Sequence, residues 1–342
     1  MLLDKLLQMG GVLSALRTRS EWFSEDGDDG QRVSIDTVSD SGESRDVGTC
    51  FGYSVSAPFP LMAMRSGDGL PLEVIEEDSP PRDIGEPLLR WFEGDRSLVR
   101  LYEQPGEYLM WVEGDDWFRI DPGPPSITCI GRVGGPRREA RIFGLPAALC
   151  FMARGDVAVH AAAVDVDGSA LLLAAPGRFG KTTMAAAFAA QGYRLLAEDT
   201  TCYRPAADPS VLPGLAMLRI RPDVHEHLSI PRSTVAAVDP ERVFVVLDQS
   251  GRGECGPVPL RGLVFLRLWE QDDIVLERVA PDRVIQDLWT LTFNLPNDRS
   301  RTECFQAVVG LATSVPVWNL YRRLSFEQLP TVIERIVSTC LA

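Results

Sequence analysis

Gly180-Lys181-Thr182-Thr183 follows a short apolar run at 171–174 and precedes an Ala-rich stretch that meets no Gly or Pro until Gly192. That is the strand–loop–helix order a phosphate-binding P-loop needs. The loop Pro176, Gly177, Arg178, Phe179, Gly180 would turn the backbone N–H groups of Gly177 to Lys181 towards a β-phosphate at the start of the helix. The helix dipole favours negative charge there. Lys181 would reach the β/γ-phosphates, and the Thr182 hydroxyl would sit on Mg2+, with Thr183 beside it. One departure is visible: the first glycine of GxxxxGK[ST] is Ala175. An ordinary glycine turn would also produce this spacing, but it leaves the lysine unexplained. Lys5 and Lys181 are the only lysines in a chain that otherwise uses Arg, and a compact ammonium suits phosphate.

Other candidates for chemistry lie close by in sequence. Glu198 and Asp199 end an apolar run at 193–197, where a P-loop protein wants a metal contact and a proton acceptor; a solvated turn is the alternative. His160 sits inside the apolar run 157–166, as a core histidine or as part of the site. Arg219 and Arg221 alternate with Ile220 and so face one side, either holding a phosphate or simply solvated. His225 and His227 are two apart with no third ligand near them, which reads as surface rather than metal site.

The elements that must position these residues follow from pattern. The runs 157–166 and 169–174 are joined by Asp167-Gly168, a strong hairpin signal, so the P-loop strand is expected to pair antiparallel with its predecessor. Upstream, short runs at 50–56, 73–75, 98–102, 108–112, 117–120 and 127–130 are separated by turns such as Pro105-Gly106. They predict a β-rich module over 47–139, with Trp91, Trp111 and Trp117 in its core. Residues 140–153 read as a helix kinked or broken at Pro146. Downstream, strands are expected at 202–204, 213–221, 260–269, 273–278 and 315–321, and helices at 281–293, 304–314 and 325–339, with an exposed loop at 294–301. Leucines at 2–17 recur at near-helical spacing, and an acidic, Ser/Gly-rich linker follows. The expected division is therefore 1–46 for helix and linker, 47–139 for the β-rich module and 140–342 for a P-loop domain. The expected fold class is α+β or α/β, a mixed sheet with flanking helices.

Bulk composition narrows the partners. The 342 residues carry a net charge of −14, 45% apolar and 24% charged residues, ordinary for a globular protein. The acidity argues against general nucleic-acid binding, which wants a basic face. The seven cysteines are scattered without CxxC pairs and are expected to be mostly reduced, buried hydrophobes in a cytoplasmic protein. The first twenty residues make a poor signal peptide, and no run approaches a membrane span.

His160 in VAVHAAAV, the loop APGRFGKTT and the LLAEDT segment occur in one order. That order resembles the HPr kinase/phosphorylase superfamily, and most nearly the HPr-kinase-like proteins of the lasso-peptide kinase type, which act in ribosomal-peptide tailoring. The specific motifs cover about 157–204. The resemblance implies an HPr-kinase-like core using ATP and Mg2+. Gly177, Gly180, Lys181 and Thr182 would hold phosphates and metal, His160 would lie near the transferred phosphate, and Glu198-Asp199 would supply base and metal contact. The family usually shows Asp-Asp, so Glu198 departs at the first position. The later Gly-rich signature of the phosphorylase half is not found, which implies a kinase alone, with possible homo-oligomers as in the family. The leading expectation is a kinase of Ser/Thr hydroxyls on a peptide or small protein. A kinase of a small hydroxylated metabolite and a non-catalytic, nucleotide-gated binding module are the alternatives.

Overall fold

In this computed structural model the described residues are 45–81, 84–93, 96–114, 116–131, 134–249 and 255–341. Met1–Glu43 and Ser44–Ala342 are separate units. The expected N-terminal helix and most of the acidic linker lie outside the described residues. The second unit is a mixed α/β protein with a β-rich N-terminal region and a second large, mixed sheet flanked by helices.

Eight strands form the N-terminal sheet: β1 (Arg45–Cys50), β2 (Tyr53–Ala57), β3 (Leu70–Glu77), β4 (Leu89–Glu93), β5 (Arg96–Gln104), β6 (Glu107–Val112), β7 (Asp116–Pro122) and β8 (Pro125–Ile130). Their order is β1-β2-β3-β8-β7-β6-β5-β4. The single strand expected at 50–56 is a hairpin, because Phe51 and Gly52 turn the chain with φ of 52° and 73°. The short run β4 escaped the sequence reading. The three tryptophans are half-buried rather than core: Trp91 stacks on Phe293, Trp117 leans on Tyr102, and Arg100 lies over Trp111.

Residues 140–153 belong to two helices, α1 (Gly135–Ile142) and α2 (Leu145–Ala153). The break falls at Phe143-Gly144, and Pro146 occupies the first turn of α2, where its missing N–H costs nothing.

The second sheet holds β9 (Val157–Val166), β10 (Ser169–Ala174), β11 (Arg194–Ala197), β12 (Thr200–Arg204), β13 (Ser210–Leu212), β17 (Val258–Leu268), β18 (Val275–Arg278) and β19 (Val317–Arg322). The β9–β10 hairpin forms as expected, with Asp167 and Gly168 both at positive φ. β10 also runs parallel to β17, and β17 parallel to β19. Between β13 and β17 stand α4 (Pro222–His227) and a small sheet ordered β14 (Met217–Ile220), β16 (Val243–Leu247), β15 (Ser233–Val238). Helix α3 (Lys181–Ala190) leaves the P-loop and buries Met184, the alanines that follow and Phe188 against the sheet.

Two helix starts differ from expectation. Helix α6 (Asp298–Ser314), after α5 (Pro281–Leu291), begins inside the expected loop, because the Asn297 side chain accepts from the Ser300 N–H at 2.8 Å and caps the polar run. The last helix, α7 (Leu329–Cys340), starts later than residue 325, with Pro330 in its first turn.

One apolar cluster takes residues from the β-rich region, from α1 and α2, and from β9, β12 and β13. Buried polar groups tie the same parts together. Arg65 donates through Nε to the Gly214 carbonyl (2.6 Å), through Nη2 to the Leu195 carbonyl (2.6 Å) and through Nη1 to Gln249 (2.7 Å). The carboxylate of Glu139 on α1 accepts the backbone N–H groups of Met62 and Ala63, both at 2.8 Å. Glu139→Ala orphans the buried Ala63 donor. It is expected to lower unfolding stability by about 2–4 kcal/mol, read as a lower urea midpoint at unchanged slope.

Candidate active site

The P-loop rises from the end of β10. Ala175, where the pattern has glycine, is fully buried against the core. Pro176, Gly177 and Arg178 are exposed, whereas Phe179 and Gly180 are half-buried. Arg178 (φ 70°) and Gly180 (φ 81°) both take left-handed backbone. At Gly180 this lets the chain enter α3 directly, its carbonyl accepting from the Met184 N–H at 2.9 Å. The N-cap of α3 is Gly180, which has no side chain to cap it, and no acidic residue lies in the first turn.

Lys181 is the first residue of α3 and is buried. A cation at a helix N-terminus is opposed by the dipole, so it needs a local counter-charge. Asp199 supplies one, accepting from Nζ at 2.7 Å. Pairing of β12 with β9 sets Thr200 opposite His160, which brings the imidazole beside Asp199. The Lys181 Nζ lies 3.1 Å from His160 Nδ1 and 3.0 Å from Nε2, and Nδ1 is 3.4 Å from the Asp199 carboxylate.

The two carboxylates divide their partners. Glu198, buried, accepts from the Thr182 hydroxyl at 2.6 Å, while Asp199 faces Lys181 and His160. Arg219 on β14 bridges both, donating through Nε to Glu198 (2.9 Å) and lying through Nη2 3.1 Å from Asp199. Lys181, Thr182, His160, Glu198 and Asp199 are thus gathered at one place, with Thr182 next to Glu198 rather than Asp199. Thr183 is half-buried on the same turn of α3. Arg221 is not part of the group and pairs instead with Asp223. His227 stacks on Phe326 and meets the Asp223 carbonyl, and among the described residues no three His, Cys, Asp or Glu side chains are arranged to hold a metal ion. All seven cysteines are free.

Electrostatics fix protonation states here. Burial raises the pKa of Asp199, but Lys181, then Arg219 and His160, outweigh it and hold the carboxyl well below the usual range. Burial lowers the His160 pKa; Asp199 opposes this, and Lys181 reinforces it. The imidazole is therefore neutral at pH 7 and Asp199 fully ionised. Glu198 raises the Arg219 pKa against the effect of burial, so that guanidinium stays charged.

A cavity of about 190 Å³ opens on these carboxylates. Val99, Met110 and Val112 of the β-rich region and Phe143 of the α1–α2 turn line its apolar side, with Arg141 among them. Arg141 pairs with Asp116 and donates to the Glu113 carbonyl at 2.8 Å.

A strand, a glycine-containing loop, a helix with a buried lysine at its start and two carboxylates facing it meet in this mixed α/β protein. No protein-family model matches the chain, and no curated protein matches it. Among solved structures, the chain aligns with the HPr(Ser) kinase/phosphatase from Coxiella burnetii over 53% of its own length and 93% of that chain, at 9% identity and a TM-score of 0.28. That likeness is too distant to place any residue. No helix among the described residues is long and apolar enough to cross a membrane.

Proposed function

We propose that the protein is an ATP- and Mg2+-dependent kinase that transfers the γ-phosphate to a Ser or Thr hydroxyl of a peptide or small protein. The observation that carries this reading is the Lys181–Asp199 pair, a buried ammonium at a helix N-terminus held by a carboxylate that borders an open cavity. A triphosphate in the loop offers Lys181 better counter-charges than Asp199. As the ammonium turns to the phosphates, Asp199 loses its strongest depressing neighbour and becomes a stronger base. It then accepts the acceptor's hydroxyl proton while that oxygen attacks the γ-phosphorus, the P–O bond to the β-phosphate breaks, and ADP leaves. Arg219 and neutral His160 hold Asp199 in place during the exchange. The two oxygens of Thr182 and Glu198 suit Mg2+, which takes one or two protein ligands alongside substrate phosphates. When bound there, Mg2+ neutralises charge on the phosphates.

The cavity gives the acceptor a place, with an apolar wall for the residue that carries the hydroxyl and the Asp199 carboxylate at its border. The β-rich region supplies part of that wall, which gives it a role in acceptor recognition. The sequence resemblance implies a ribosomal precursor peptide, of which the hydroxyl-bearing residue alone would enter the cavity. A cavity of this size also admits a small hydroxylated metabolite, which keeps the second reading in play. Incubation with γ-labelled ATP, Mg2+, a panel of Ser- and Thr-containing peptides and free hydroxyl metabolites separates them. Label on a peptide hydroxyl is the expected result, and label on a metabolite alone replaces the peptide reading. Tight ATP binding with no labelled product overturns both in favour of a nucleotide-gated binding module.

A further inference from the structure

Arg322 closes β19, and the registers of three neighbouring strands fix its height. Ala174, the last residue of β10, pairs with Phe265 on β17, and Phe265 pairs with Asn319 on β19. Arg322 lies three residues beyond that level, about 10 Å further along the strand direction. The P-loop rises over the same edge, at the carboxyl ends of three mutually parallel strands, where open α/β sheets bind their ligands.

Its side chain lies against the loop. A methyl group added to Gly180 would stand 2.7 Å from Arg322 Nη2, and 3.1 Å from Leu324 Cδ2. The residue is 2% exposed. Among the described residues Nε and Nη2 are buried without a hydrogen-bond partner, and Nη1 makes a long contact, 3.3 Å, to the Arg323 carbonyl. Among the described residues no carboxylate pairs with it. The next residue is handled conventionally, since Arg323 meets Asp272 at the surface. Burial pulls the Arg322 pKa down to about 10, which still leaves a full charge at neutral pH. An unpaired buried guanidinium is costly. It is tolerable where a ligand brings the missing anion, and the adjoining loop is built to hold one.

We propose that Arg322 is a direct ligand of the phosphate chain bound in the P-loop, its Nε and Nη2 donating to phosphate oxygens beside Gly180. This rests on the nucleotide-binding reading of the loop and adds a cation from the last strand to Lys181. A planar fork reaches two oxygens at once, which Lys181 as a point charge does not. Leu324, exposed, stands beside Gly180 on the same side.

The test compares wild type, Arg322→Met and Arg322→Lys for unfolding temperature and for affinity towards inorganic pyrophosphate, ADP and ATP. Methionine keeps the apolar bulk and removes the orphan charge. The ligand-free Arg322→Met protein is expected to melt at or above the wild-type temperature while binding pyrophosphate and ATP about tenfold to a hundredfold more weakly. A merely structural arginine predicts the reverse, a lower melting temperature with affinities unchanged, and that result overturns the proposal. Should methionine prevent folding, lysine decides: about a tenfold loss of pyrophosphate affinity supports the fork, and wild-type affinity overturns it. Pyrophosphate binding that depends on Arg322, in a protein that labels no acceptor, keeps Arg322 and removes the kinase reading. ATP binding that depends on Lys181 but not on Arg322 does the opposite. A wild-type protein that binds neither ATP nor pyrophosphate removes both.

Discussion

Lys181→Met is expected to weaken ATP binding about tenfold to a hundredfold and to leave phosphoryl transfer undetectable. A charge-assisted bond to a ligand oxygen in a buried site is worth about 1.5–3 kcal/mol net, which converts to that range. Transfer should suffer further, because phosphoryl chemistry depends on positioning and on charge neutralisation, which the proposed mechanism assigns in part to the lysine. The variant should still fold. Asp199 keeps Arg219 at 3.1 Å and His160 at 3.4 Å, and a buried methionine carries no desolvation cost. Its signature is a change in acid stability. In the wild type the Asp199 pKa is depressed in the folded state, so its contribution is present above the unfolded carboxyl pKa and is lost as pH falls through the folded value. Removing Lys181 raises that folded value, so acid unfolding should begin at higher pH. Unchanged ATP affinity in Lys181→Met would falsify the P-loop assignment outright.

The lysine was legible in the sequence because everything that positions it is local. Apolar run, glycine loop and Ala-rich helix are consecutive, and Asp167-Gly168 specifies the hairpin that sets the strand in place. Glu198 and Asp199 were legible for the same reason, at the end of the next strand. Their division of labour was not. Which carboxylate meets Thr182 and which meets Lys181 depends on side-chain directions at a strand end, and one residue of register exchanges them. Arg219 was half-seen: alternation with Arg221 placed both on one side, but only the fold shows Arg219 spanning two carboxylates while Arg221 pairs with Asp223. Arg322 gave no signal in a chain rich in arginine. It reaches Gly180 through two parallel pairings, β10–β17 and β17–β19, which no local pattern encodes. The apolar cavity wall was hidden in the same way, since strands of the β-rich region read as an ordinary alternating sheet until that sheet is packed on the core.

The second large effect separates binding from chemistry. Asp199→Asn is expected to lower kcat by about a hundredfold to ten-thousandfold, the usual contribution of a positioned base, while ATP affinity stays equal or improves. Affinity is expected to hold because, in the proposed mechanism, ATP detaches Lys181 from Asp199, and the amide weakens the bond that is broken. Stability should fall by less than the 3–5 kcal/mol typical of a fully buried broken pair, because the Asp199 side chain is 37% exposed and partly screened. The same exchange predicts the wild-type pH profile. In the free protein Asp199 titrates far below the usual carboxyl range; if ATP draws Lys181 onto its phosphates as proposed, the Asp199 pKa is expected to rise. The acid limb of kcat should therefore lie at higher pH than the titration of Asp199 in the nucleotide-free protein. Glu198→Gln provides the contrast. It leaves the base in place and removes a charged neighbour of Thr182, so the Mg2+ concentration needed for half-maximal rate should rise while the pH limb stays where it was. If Asp199→Asn retains the wild-type kcat and Glu198→Gln loses it, the roles of the two carboxylates are reversed. The acceptor hydroxyl must then approach from the Thr182 side of the site.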